Sequence, residues 1–184
     1  MIGFWIFLGF GALLILWGFA IYNNFVRLQQ NVKNGWSQID VQLKRRHDLI
    51  PNLVETAKGY MAHERQTLEN VIKARQQAVN ADGLKAKQSA ENFLTDTLRS
   101  LFAVFENYPN LKADQHMLRL QEELTTTENK IAFARQYYND EVARYNTAVQ
   151  SFPDAVIAQV GRFEKSDFFE IADQAQKQTP KVSF

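Results

Sequence analysis

The chain has no cysteine, and only four prolines and eight glycines in 184 residues. Without cysteine it can form no disulfide, no thiolate metal centre and no cysteine nucleophile, while the redox compartment stays open. Scarce proline and glycine remove the commonest helix stops, and half the glycines (Gly3, Gly9, Gly11, Gly18) crowd into the first 18 positions. Long helices are therefore expected. An excess of one charge is also lacking: 21 basic and 20 acidic residues leave a net +1, so no nucleic-acid-binding face is implied. Chemistry is sparse too. The three histidines, His47, His63 and His116, are scattered. They make neither the paired histidines of zinc proteases nor the Glu-x-x-His of di-iron bundles. No phosphate-cradling glycine loop and no nucleophile-elbow serine occurs. His63-Glu64 stands alone as an acid–base pair. The expectation is a protein that is not an enzyme and uses no cofactor or metal.

What is present begins with an apolar run. Met1 to Tyr22 carries no charge, and the first charged residue is Arg27. As a helix this run rises about 33 Å, enough to cross a hydrocarbon core of ~30 Å. A cleaved signal peptide would show a basic start and a small-residue cleavage site. Here no basic residue precedes the run, and Gly18-Phe19-Ala20 leads into Ile21-Tyr22 without a convincing cut. Residues 1–24 are thus expected to be a retained, single-pass membrane anchor. Trp5, Trp17 and Tyr22 suit its aromatic belts. Arg27, Lys33, Lys44, Arg45 and Arg46 follow the span, which favours a cytoplasmic location for the rest of the chain. The last three lie well beyond it, so the extracytoplasmic side stays open.

Residues 25–162 read as helical bundle. From Val32 to Val79 two heptad lines run: Val32, Ile39, Arg46, Leu53, Tyr60, and Trp36, Leu43, Ile50, Ala57, Glu64, Val71. They predict one rod continuing from the anchor, about 70 Å long at 1.5 Å per residue, opened or kinked at Pro51, which cannot donate to the His47 carbonyl. Asn80-Ala81-Asp82-Gly83 ends it. A second helix is expected over about Lys85–Asn107, with Ala90, Phe93, Leu94, Leu98, Leu101, Phe102 and Phe105 as its apolar stripe. Tyr108-Pro109-Asn110 turns the chain. A third spans about Asp114–Ser151, its seam running Met117, Leu120, Leu124, Thr127, Ile131, Ala134, Tyr138, Tyr145, Ala148. Pro153 opens a short helix that Gly161 stops. Residues 163–184 form a last segment, with another short helix and an extended tail. Short turns make apolar-faced helices antiparallel neighbours, so the fold class is all-α: a transmembrane helix followed by an elongated antiparallel helical bundle.

Some polar residues resist this pattern. Arg46 and Glu64 occupy seam positions, where an unpaired charge is very costly. Lying 18 residues apart on one straight helix, about 27 Å, they could not pair with each other. Glu128 is the candidate partner for Arg46 and Arg135 for Glu64. Glu128, Arg135, Asn139 and Asn146 make one stripe beside the third helix's seam, and Asp40, Lys44, Asp48 and Asn52 an i,i+4 ladder on the first. Either these form a hydrogen-bond network that fixes register, or they line a site for a ligand or partner. Phe163, Phe168, Phe169 and Phe184 are too many aromatics for a solvated tail. They dock on their own bundle, or cap a neighbouring subunit or the membrane surface.

Tyr22-Asn23, the run Trp36 to Arg46, Asp48-Leu49-Ile50-Pro51-Asn52-Leu53-Val54 and His63-Glu64 together resemble the signature of the LemA family. So do Glu106-Asn107-Tyr108-Pro109, Leu111-Lys112-Ala113, Glu128-Asn129, Arg135, Tyr138-Asn139, Tyr145-Asn146, Phe152-Pro153 and the closing Pro180-Lys181-Val182-Ser183-Phe184. The resemblance covers essentially the whole chain, in order. Many relatives carry basic residues before the span, and this chain has none. The resemblance implies a single-pass bacterial membrane protein with a long helical bundle and no transferable catalytic residues. One branch of the family is implicated in building magnetosome membranes, which points to membrane shaping or scaffolding.

Two functions are therefore expected. One is a membrane-anchored scaffold of the bacterial cytoplasmic membrane that self-associates as a homo-oligomer. The other is an accessory or sensor subunit that binds a ligand or peptide for an envelope protein partner, such as a protease or signalling system. A sensor should have a concave polar pocket around Arg46, Glu64 and Arg135.

Overall fold

The structure is a computed structural model that describes residues 1–61 and 63–169. The expected last short helix and Phe184 fall on residues 170–184, outside the described residues. Six helices, and no strand, occur among those described: α1 (Ile2–Lys58), α2 (Arg65–Asn80), α3 (Leu84–Phe105), α4 (Pro109–Lys112), α5 (Gln115–Gln150) and α6 (Asp154–Val160). The all-α reading holds, and α3 and α5 fall close to their expected bounds. The chain divides into two units. One comprises Met1–Ile39 with Phe133–Phe168, the other Asp40–Ala132 with Phe169.

The second unit corrects the single rod expected over Val32–Val79. That stretch is two helices, because α1 ends at Lys58 and α2 starts at Arg65. Gly59 and Tyr60 break the pattern: the amides of Tyr60 and Met61 both bond back to the Ala57 carbonyl, at 3.0 and 2.9 Å, which closes the last turn. Tyr60 and Glu64 therefore leave the heptad seam, Tyr60 being exposed and Glu64 standing at the start of α2. The opening expected at Pro51 does not interrupt α1. The carbonyl of His47, which Pro51 cannot satisfy, accepts a 2.7 Å bond from Arg75 Nε on α2. The chain then turns through Asp82-Gly83, where Gly83 takes φ 78°, a left-handed conformation that glycine adopts without Cβ strain.

Side-chain pairings fix the directions of the helices in this unit. Asp40 meets Lys87 while Arg46 meets Thr95, so α1 and α3 run parallel. Arg45 meets Glu123 and Tyr60 meets Asp114, so α5 runs antiparallel to α1. With α2 descending between them, the unit is an up-down-up-down four-helix bundle. Its core is continuous: Ile50, Leu53, Val54 and Ala57 of α1, Leu68, Val71, Ala74 and Ala78 of α2, Leu94, Leu98, Leu101 and Phe105 of α3, and Met117 and Leu124 of α5. Leu111, on the short α4, closes one end of it. The Tyr108-Pro109-Asn110 turn thus includes one helical turn, with Pro109 in its first positions. Asp114 caps α5: its Oδ1 accepts the Met117 amide at 2.9 Å and its Oδ2 the Tyr60 hydroxyl at 3.1 Å.

The first unit is an antiparallel pairing of the N-terminal part of α1 with the C-terminal part of α5. Asn31 meets Glu141, and Trp36 meets Tyr138 edge-on. Phe25, Val32, Ile39, Ala134, Tyr138, Val142 and Tyr145 are buried between them. The two helices approach closely at Gly35, where an added Cβ would lie 3.1 Å from Tyr138 Cα and 3.5 Å from the Tyr137 ring. A larger side chain there must push the helices apart, at a cost of about 1–3 kcal/mol by overpacking. Gly35→Leu should lower the melting temperature measured by circular dichroism. Gly11→Leu, whose new Cβ meets nothing within 4 Å, should not. Equal effects from both would contradict the packing described.

Candidate functional site

The charges that the apolar pattern cannot accommodate meet in the second unit. Arg46 of α1 is 1% exposed. Its Nη2 donates to Glu91 Oε2 on α3, in close contact. Its Nη1 donates to Glu128 Oε2 on α5 at 2.7 Å and to Thr95 Oγ1 at 2.9 Å. The second oxygen of Glu91 accepts from His47 Nε2 at 2.8 Å. The Thr95 hydroxyl in turn bonds the Glu91 carbonyl at 3.0 Å, one turn back along α3. Arg46 Nε has no hydrogen-bond partner among the described residues. One guanidinium therefore joins three helices, and the carboxylate of Glu91 bridges two successive residues of α1. Planar guanidinium suits this arrangement, since its fork of N–H groups can serve two carboxylates at fixed angles.

Glu91 is fully buried, and burial alone pushes its carboxyl up. The His47 hydrogen bond and the charges of Arg46 and His47 outweigh that, and hold it below the usual carboxylate range. The sign of the consequence follows. A carboxyl with a depressed folded-state pKa adds stability above its unfolded-state pKa, and that stability is lost as pH falls through the folded value.

Beside the cluster lies a cleft of about 240 Å³, lined by Arg46, Thr95, Leu98, Arg99, Phe102, Leu124, Thr125, Glu128 and Asn129. Glu64 and Arg135 are not among its lining residues, so the three-residue pocket expected of a sensor is not assembled there. Glu64 instead accepts the Tyr108 hydroxyl at 3.3 Å and the Thr67 hydroxyl at 3.4 Å. This contact and burial raise the pKa of the Tyr108 hydroxyl, burial being the larger cause. Asp40 reaches across to Lys87 on α3 rather than along the helix. Asp48 and Asn52 face solvent.

The stripe expected on α5 divides between the units. Glu128 belongs to the Arg46 cluster, while Arg135 and Asn139 are half-buried in the first unit. Asn146 holds the chain after α6 in both directions: its Nδ2 donates to the Ser166 carbonyl and its Oδ1 accepts the Ser166 amide, each at 2.9 Å. Of the aromatic segment, Phe163 stacks on Phe25 with centroids 4.9 Å apart and meets Tyr22 edge-on at 5.3 Å. Phe169 is buried and Phe168 exposed.

Sequence reasoning missed Glu91, His47 and Thr95, and also Glu141, which is buried and bonds Asn31 at 3.1 Å and Arg144 at 2.7 Å. For Glu91 a signal existed. Stepping back from Leu101 by three and four residues gives Leu98, Leu94, Glu91 and Gln88, and all of these are buried. The spacing marks Glu91 as a core position as clearly as it marks Arg46.

Removing one partner of a buried pair leaves an uncompensated charge and costs about 3–5 kcal/mol. Arg46→Ala should therefore lower the denaturant midpoint strongly. The unmutated protein should lose stability as pH falls below the usual carboxylate range, and Glu91→Gln should flatten that loss. Unfolding curves across pH check both. A midpoint unmoved by Arg46→Ala would show that the guanidinium is solvated.

The LemA family model matches residues 35–184 of this chain. Protein LemA of Metamycoplasma hominis is 27% identical over 151 residues, covering 82% of this chain and 67% of that protein. Magnetosome protein MamQ of Magnetospirillum gryphiswaldense is 24% identical over 174 residues, covering 80% and 64%. Magnetosome protein MamQ 1 of Paramagnetospirillum magneticum is 23% identical over 175 residues, covering 81% and 64%. The chain thus spans about two thirds of the length of these relatives. With the family's model matching from Gly35, before the Arg46 cluster, to the last residue, the chain belongs to the LemA family.

Proposed function

We propose that this protein is a membrane-anchored helical scaffold of the bacterial cell envelope, held in the cytoplasmic membrane by the first turns of α1 and self-associating through the bundle. The observation that carries the reading is the state of α1 before Ile21. Every large apolar side chain from Ile2 to Phe19 is at least 49% exposed, and the helix is long and apolar enough to cross a membrane. Soluble monomers rarely expose contiguous apolar patches beyond a few hundred Å². Lipid removes that surface from water. Relatives whose names assign them to the magnetosome fit a structural role, and none of the three named above carries an enzyme's name.

Self-association is supported by α5, where Phe133 is 72% exposed and Tyr137, four residues on, lies on the same face. Confinement to a bilayer raises the effective concentration of every copy, so a small patch is enough. Arg27 and Lys33 after the span support a cytoplasmic location for the bundle, with the extracytoplasmic side as the alternative.

The second reading, a ligand-binding accessory subunit, rests on the cleft beside Arg46 and Glu128. Light scattering of detergent-extracted protein separates the two. A scaffold should show a mass well above one chain, and Phe133→Asp should reduce it. A single cysteine in place of Asn80 should be shielded from an impermeant thiol reagent in whole cells. A strict monomer that retains a small molecule in native mass spectrometry would favour the accessory reading, and labelling at Asn80 would reverse the orientation.

A further inference from the structure

We infer that α6 is an interfacial foot: Phe152, Val156 and Val160 enter the boundary between headgroups and acyl chains of the leaflet in which α1 ends its span. The inference rests on the membrane reading of α1. It starts from a surface that nothing among the described residues covers. Phe152 is 86% exposed, Val156 54% and Val160 80%. Val156 and Val160, four residues apart, lie on one side of the short helix, and Phe152 lies in the turn that leads into it. On the far side Ala158 is buried, and at the flank Ile157 Cδ1 comes within 3.7 Å of where a Cβ on Gly18 would sit. So α6 lies against the apolar run itself.

The depth fits. Gly18 precedes Tyr22, the last residue of the run, by four positions, or about 6 Å along the axis. Interfacial helices bury their apolar face about 5–10 Å into the headgroup–acyl boundary.

The position of α6 is also fixed. After it the chain reverses at Gly161 and Arg162, the latter with φ 55°. Phe163 then packs on Phe25 and Tyr22. Asn146 clasps Ser166 from both sides, and the Tyr138 hydroxyl bonds the Asp167 carbonyl at 2.9 Å. These clamps hold α6 at one level of α1, so its apolar side meets the same solvent as the adjoining lipid-facing turns. That continuity makes lipid, rather than a second protein surface, the occupant. Asp154, Arg162, Glu164 and Lys165 balance in sign, so the attraction is apolar and independent of anionic lipid.

The chain has no cysteine, which permits single-site labels. Full-length protein carrying a bimane at Phe10→Cys, Val156→Cys or Val160→Cys is placed in nanodiscs. The nanodisc lipids are spin-labelled either near the headgroup or at the chain end, and iodide serves as the aqueous quencher. Phe10 should lose fluorescence to chain-end labels. Positions 156 and 160 should lose most of theirs to headgroup-proximal labels and little to iodide, equally in neutral and anionic bilayers. Strong iodide quenching at 156 and 160, with lipid quenching kept at Phe10, would overturn the foot and leave the anchor. Protection of 156 and 160 from both quenchers would mean that protein covers them, which also overturns it. Absence of lipid quenching at Phe10 would overturn the membrane reading and the foot together.

Discussion

A guanidinium taken out of water has to be answered by acceptors whose positions leave little freedom, and Arg46 imposes that requirement on the second unit. Its two terminal nitrogens reach Glu91 on α3 and Glu128 on α5. Any change in the register of those helices against α1 would strand a charge, so a rough apolar match becomes one defined alignment. His47 adds a second constraint from the neighbouring position: its ring bonds Glu91, and its carbonyl accepts Arg75 from α2. Two adjacent residues of α1 thus address all three other long helices of the bundle. Apolar burial supplies most of the driving force, as in any helical bundle, and the polar cluster selects which packing is used.

The first unit is held differently. Its contacts are aromatic and close-packed: Trp36 on Tyr138, Phe25 on Phe163, and the glycine approach at Gly35. Its polar bonds, from Asn146 to Ser166 and from Tyr138 to Asp167, secure the chain that returns from α6. This is the part of the chain that adjoins the apolar run. On the proposed membrane reading, a tightly fitted pairing there gives α1 a defined exit, and the exposed sides of α1 and α6 are the surfaces offered to lipid.

Much of this was legible in the residues. Periodicity located α3 and α5 to within a residue or two, because both have wide apolar stripes and clear turn residues at their ends. The apolar run announced itself by composition. The break at Gly59 was masked because Ala57, Glu64 and Val71 keep heptad spacing straight across it, although Tyr60 and Glu64, two seam positions unsuited to burial, marked the fault. Pro51 misled in the opposite sense. Local chemistry makes it a helix breaker, but the orphaned carbonyl it creates is satisfied by Arg75, a residue 24 positions later that no local rule connects to it. Glu91 lay on the buried line of α3 beside Phe93, which is apolar yet exposed. Residue type pointed the wrong way at both positions, and only the spacing was right. Asp40 could pair along its helix or across to α3, and the sequence holds nothing that decides between them.

The central claim is that Arg46 and Glu91 act as one unit whose mutual neutralisation fixes the bundle. A double-mutant cycle tests it most directly, with Arg46→Met, Glu91→Leu and the combined variant compared by denaturant unfolding of the full-length protein in detergent. If the claim holds, each single change should destabilise strongly, and the pair by clearly less than the sum, with a coupling of about 2–3 kcal/mol at the upper end of what contacting residues show. Additive effects, with no coupling beyond about 0.5 kcal/mol, would contradict it.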